Sequence, residues 1–131
     1  MRDLIYLDAS SLVKLVVEEA ESPALRAFVA DSRRHATSRI GVIETTRACL
    51  RRPELDSDRL EAVLDRLEVI EMDPAVGRRA ATLRPPGLRT LDAVHAATAL
   101  ALGADLAAFV TYDTRQAEAA AHAGLPVVSP A

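Results

Sequence analysis

The chain of 131 residues has a single cysteine, Cys49, so no internal disulfide framework holds it together. Its aromatic residues are Tyr6, Phe28, Phe109 and Tyr112, only 3% of the chain. That is too few for a base-stacking platform of the kind that reads single-stranded RNA. Lysine is nearly absent: Lys14 stands alone against fifteen arginines, and acids outnumber bases to give a formal net charge of -3. A chain that binds nucleic acid through overall basicity is excluded. The five glycines form neither a G-x-G-x-x-G turn nor a Walker loop, and no G-x-S-x-G elbow exists. His35, His95 and His122 are widely spaced, with no H-E-x-x-H motif and no cysteine pair, so zinc has no ready ligand set. No apolar stretch approaches the roughly 18 residues of a membrane span. The first apolar run is also too short for a secretory leader. The expectation is a soluble cytoplasmic protein with no membrane partner.

Half of the residues are hydrophobic, enough for a core in one domain covering residues 1–131. Leu4–Leu7 is an apolar run ended by Asp8 and reads as a buried strand. Ser10 and Ser11 offer N-caps for a helix through Val17. Ser22-Pro23 opens a second helix, with Ser22 as cap and proline in the first turn. His35–Ser38 reads as a short strand, Ile40–Arg51 as a helix stopped before Pro53, and Ser57–Leu67 as a helix. Val69–Met72 is a strand, and Asp73-Pro74 caps a helix that Arg84-Pro85-Pro86-Gly87 breaks. Thr90–Leu102 is a helix closed by Gly103. Ala108–Tyr112 is a strand, Asp113–Ala123 a helix closed by Gly124, and Pro126–Val128 a last short strand. Strands separated by helices imply an α/β fold, a parallel sheet covered on both faces. Ligands of such sheets sit at the carboxyl ends of the strands, where the strand order reverses.

Four acids lie at or near those ends, and each has an ordinary structural role open to it. Asp8 follows the first strand and suits a turn or an N-cap. Asp113 begins a helix and forms a D-x-x-Q capping box with Gln116. Asp92 stands in a first helical turn, where an acid complements the helix dipole. Glu44 lies inside a helix between apolar neighbours and can pair with Arg47. If Asp8 and Asp113 end adjacent strands, the acids crowd one crevice, repel, and resist ionising together. A hard divalent cation removes that penalty, because Mg²⁺ or Mn²⁺ takes oxygen ligands and leaves waters that phosphate oxygens replace. His95, one turn after Asp92, reads as a helix-surface or packing residue. Asp73 also follows a strand and, with Pro74, caps the next helix.

These residues resemble a known family. Tyr6-Leu7-Asp8-Ala9-Ser10-Ser11-Leu12 resembles the opening motif of PIN domains, and Ser38–Ala48, containing Glu44, resembles the second. Arg89-Thr90-Leu91-Asp92-Ala93-Val94-His95-Ala96-Ala97-Thr98-Ala99 is the most specific match, to the third, and Thr111-Tyr112-Asp113 matches the fourth. The resemblance spans essentially the whole chain, in order, and is closest to VapC-type toxins of type II toxin–antitoxin systems.

The resemblance implies a three-layer α/β/α sandwich around a parallel five-stranded sheet in the order 3-2-1-4-5, which sets strands one and four side by side. It implies a metal-dependent endoribonuclease in which Asp8, Glu44, Asp92 and Asp113 are the catalytic, metal-binding acids for Mg²⁺ or Mn²⁺. Ser10 and Thr111 would be supporting hydroxyls. It further implies a homodimer and a VapB-type antitoxin whose tail blocks the acidic pocket. Thr114-Arg115 stands where an additional acid is sometimes found. Arg47, Arg89, Arg115 and Lys14 are candidates for RNA contact, forming a local basic rim. Residues 40 to 70 carry a dense apolar pattern on two consecutive helices, including Ile40, Ile43, Leu60, Val63, Leu64 and Leu67; one face suffices for the core, and the strip left exposed is the expected self-association surface. The alternative from another class is a non-catalytic PIN-like module whose acids dock a basic peptide or RNA. A receiver-type phosphotransfer domain is a weaker rival, since no lysine follows the last strand.

Overall fold

The computed structural model describes residues 2–131. Its strands are β1 (Leu4–Leu7), β2 (Arg34–Ser38), β3 (Glu68–Ile70), β4 (Leu106–Val110) and β5 (Val127–Val128). They pair in parallel in the order β3-β2-β1-β4-β5, so β1 lies at the centre beside β4, with Tyr6 opposite Phe109 and Leu7 opposite Val110. The helices are α1 (Ala9–Val16), α2 (Ser22–Ala30), α3 (Arg39–Leu50), α4 (Ser57–Asp65), α5 (Pro74–Thr82), α6 (Thr90–Leu100) and α7 (Thr114–His122). They cover both faces of the sheet, making the three-layer PIN-like α/β fold.

Alternation along the central strands builds two cores, because successive side chains leave a strand on opposite faces. On one face Tyr6 and Phe109 pack against Ala96, Ala99 and Ala120 of α6 and α7. On the other, Ile5, Leu7, Ala108 and Val110 meet Leu12 and Leu25 of α1 and α2. The small side chains of α6 let that helix press closely on the sheet, and Asp92 through Ala99 are all buried. No helix among the described residues is long and apolar enough to cross a membrane.

Several local readings change. Asp8, rather than Ser10 or Ser11, caps α1, and Glu21 precedes α2 without a side-chain cap. Ser22 instead turns inward and donates to the Lys14 carbonyl at 2.6 Å. β4 begins at Leu106, directly after a short 3-10 turn at Gly103–Asp105, and Thr111 and Tyr112 lie beyond its end. One face of the apolar pattern goes to the core: Leu60 is buried, and Val63 and Leu64 of α4 and Leu67 just beyond it pack against the core. Ile43 remains 48% exposed.

Two glycines are required by geometry. α3 starts directly after β2, and a Cβ on Gly41 would lie 2.1 Å from the Thr37 hydroxyl. Gly124, at φ 85°, turns the chain from α7 towards β5 through the left-handed region that glycine enters freely.

Candidate active site

Asp8 stands at the end of the central strand and is 4% exposed. Its Oδ1 accepts from the Ser10 hydroxyl at 2.6 Å and from the Ser11 backbone N–H at 3.1 Å. Its Oδ2 accepts from the Thr111 hydroxyl. The same Thr111 oxygen accepts the Asp113 N–H at 3.1 Å, and the Ser10 oxygen accepts the Tyr112 N–H at 2.8 Å. Two hydroxyls thus lock the end of β1 to the end of β4. Ser11 adds a third tie, donating to the Val110 carbonyl at 2.6 Å. Burial pushes the Asp8 carboxyl above the usual aspartate range, and the bonds from Ser10 and Thr111 only partly offset it. The cause is desolvation, not the crowding of acids inferred from the sequence.

Glu44, Asp92 and Asp113 line one cavity of about 330 Å³ together with Arg89, Thr90 and Leu91. They come from three separate elements: the middle of α3, the first turn of α6, and the cap of α7. Asp8 lies behind this cavity, reached through Thr111, rather than on its wall. Asp113 caps α7 by accepting from the N–H groups of Arg115 at 2.9 Å and Gln116 at 3.2 Å. The capping box is half made: the Gln116 side chain donates instead to the Asp92 carbonyl at 3.2 Å, fastening α7 to α6. Arg89 reaches over both aspartates, with Nε 3.0 Å from Asp92 and Nη2 3.6 Å from Asp113.

Glu44 does not pair with Arg47. It accepts a 2.6 Å hydrogen bond from Nε2 of His95, whose Nδ1 lies 2.6 Å from the Tyr6 hydroxyl. His95 is 3% exposed, so of the two roles read from the sequence, helix surface or packing, the structure has the packing one. The signal was present: a histidine within a run of alanines sits on a helix pressed into the core and must find buried partners. Burial also holds the Tyr6 hydroxyl well above the usual tyrosine range, so it keeps its proton.

The basic candidates separate. Arg47 lines a neighbouring groove of about 520 Å³ that shares Glu44 and Leu91 with the acid cavity. Arg115 lines a second neighbour of about 390 Å³ that shares Arg89 and Asp92. Lys14 does neither: it pairs with Glu21 at 2.9 Å and Glu19 at 3.4 Å and lies over the Tyr112 ring. Asp73 is exposed and caps α5 through the Val76 N–H at 2.8 Å.

Among the described residues, no three acid, histidine or cysteine groups converge closely enough to form a ready-made cation cage. Each acid is turned to a protein donor instead. The donor set is nonetheless all carboxylate oxygen, which suits a hard cation. A guanidinium already occupies the space between Asp92 and Asp113, so positive charge is accommodated where a divalent ion would compete for the same oxygens.

A family model described as PIN domain matches residues 5–122. The chain is 40% identical over 126 residues to Ribonuclease VapC46 of Mycobacterium tuberculosis, covering 96% of this chain and 97% of that protein. It is 41% identical over 131 residues to Ribonuclease VapC35 of the same species, covering 97% of each. Among solved structures it resembles a toxin–antitoxin complex from Klebsiella pneumoniae, at TM-score 0.73 and 24% identity, covering 97% of this chain and 98% of that one. It also resembles VapBC2 from Rickettsia felis bound to a DNA fragment from their promoter, at TM-score 0.73 and 17% identity, covering 98% and 99%. These two structural likenesses concern the fold.

Proposed function

The chain belongs to the PIN-domain family, and from that premise we propose that it is a divalent-cation-dependent endoribonuclease, the toxin of a VapBC-type pair. The observation that carries the reading is the meeting of Glu44, Asp92 and Asp113 on one cavity at the carboxyl end of the central strands, with Asp8 tied in behind them. The curated relatives at about 40% identity over nearly the full chain are ribonucleases by name.

Asp8, Glu44, Asp92 and Asp113 would hold Mg²⁺ or Mn²⁺. Such a cation, when bound, acidifies water and neutralises charge on a phosphodiester. The chain's own residues do the rest. Ser10 and Thr111 keep both oxygens of Asp8 occupied by donors and so fix its orientation. Arg89 balances the charge of Asp92 and Asp113. Its planar fork would also suit a phosphate. Arg47 and Arg115, in two grooves that each share residues with the acid cavity, would hold the RNA backbone. A VapB-type antitoxin and a second copy of the chain complete the proposed partners. The whole chain forms the domain, and the cytoplasm is its proposed place.

One observation favours a second reading. Arg89 between Asp92 and Asp113 shows that the acids accept a guanidinium, as a non-catalytic module docking a basic peptide would require. Incubation with defined RNA transcripts separates the two. The enzyme cleaves them with Mg²⁺ or Mn²⁺ and stops when the cation is chelated. A docking module leaves them intact under both conditions.

A further inference from the structure

Buried behind the acid cavity is a chain of three side chains from three elements: Tyr6 on β1, His95 on α6 and Glu44 on α3. The Glu44 carboxylate can only accept, so Nε2 of His95 must carry the proton that it donates across 2.6 Å. In the neutral ring Nδ1 is then bare and accepts from the Tyr6 hydroxyl at 2.6 Å. The tyrosine is itself held rigidly, stacked on Phe109 with ring centroids 5.1 Å apart and 0% exposed. The other side of the His95 ring faces α3 at Gly41, where a Cβ would stand 3.4 Å from its Cε1, so glycine leaves the ring room to reach Glu44. Glu44, by contrast, sits on a helix whose exposed face carries Ile43 and Arg47, and His95 is its partner within the fold.

We propose that His95 is the positioning residue of Glu44: anchored by Tyr6, it aims one carboxylate oxygen into the wall of the cavity and leaves the other free for a divalent cation. This rests on the cation-binding reading above and adds a residue to it. The arrangement follows the general logic by which a hydrogen-bonded partner behind a ligand fixes its orientation, where loss typically costs about 10- to 100-fold in metal affinity.

The test uses two amides of similar polarity in the same buried place. His95→Gln puts an N–H near the position of Nε2, whereas His95→Asn puts one near Nδ1. Mn²⁺ affinity is measured by calorimetry. The Gln variant should remain within about 3-fold of wild type and the Asn variant should weaken by about 10-fold or more. In a Glu44→Gln background that difference should vanish. Equal losses in both variants, or a difference that persists without Glu44, would overturn the proposal, because a purely structural histidine predicts one or the other. Wild-type protein that binds no Mn²⁺ would instead overturn the cation-binding reading. A measurement without substitution guards against misfolding: ¹⁵N-labelled wild type should show His95 protonated at Nε2 and bare at Nδ1, with the Nε2–H resonance shifting as Mg²⁺ saturates. A resonance indifferent to saturating Mg²⁺, or a ring protonated at Nδ1 alone, would contradict the proposal even if both variants unfold.

Discussion

Three aspartates in this molecule do the same local job in different places. Asp8, Asp73 and Asp113 each follow a strand and cap the next helix by accepting backbone N–H bonds. Asp73 stands in solvent a few residues past the edge strand β3, and its carboxylate takes the Val76 N–H. Asp8 directly follows the central strand β1, Asp113 lies just past its neighbour β4, and the two are joined through Thr111. Sheet order, not local sequence, separates a plain cap from a member of a site. A strand–aspartate–helix junction at an edge has only its own helix to answer to. At the point where the order reverses, two such junctions meet, and helices from both faces bring further acids within reach.

The largest effect is expected at Asp8. Asp8→Asn should lower RNA cleavage by at least about a hundredfold, beyond the loss typical of groups that only support ligands. Its stability should also change in a pH-dependent way. Burial raises the folded carboxyl, so the folded chain holds that proton more tightly than the unfolded one. Its contribution to stability is therefore full below the unfolded aspartate value of about 4 and is lost as pH rises through the raised folded value. Thermal melts from acid to neutral pH should show this slope in wild type and a flatter one in Asp8→Asn. Equal slopes would mean that Asp8 behaves like the exposed Asp73.

A smaller and opposite effect on cation binding is expected at Arg89, which is half exposed and bridges two acids. Arg89→Gln removes the competing positive charge, so Mg²⁺ or Mn²⁺ affinity should rise several-fold. Without added cation the melting temperature should change little, because solvent screens the exposed guanidinium. Cation affinity that falls in this variant would show that Arg89 does not compete for the oxygens of Asp92 and Asp113.

Much of this was legible in the chain. The apolar run ending at Asp8, the proline breaks and the glycines after α6 and α7 place most of the elements to within two residues. The four acids stood out because each interrupts or ends an apolar segment. Their adjacency came from the family resemblance, since no periodicity reveals which strands are neighbours. What the sequence hid was side-chain direction across the sheet. Nothing near Glu44 along the chain points to His95, 51 residues away, whereas Arg47 at three residues offers an obvious local partner. Lys14, a candidate for RNA contact in the sequence, is an ion-pairing residue, because Glu19 and Glu21 lie across a turn that folds back on α1. The apolar pattern over residues 40 to 70 does not say which face goes inward: Leu60, Val63 and Leu64 of α4 meet the core, while Ile43 of α3 stays exposed.

The most direct measurement is the calorimetric titration of Mn²⁺ into wild type, Asp113→Asn and Asp73→Asn. Both substitutions keep a capping side chain at a strand–helix junction, and they differ in whether that junction belongs to the central crevice. The account expects Asp73→Asn to bind as wild type does and Asp113→Asn to lose about 10-fold or more in affinity while still folding. Equal affinities in the two variants would contradict it, because the acids at β1 and β4 would then be helix caps and nothing further.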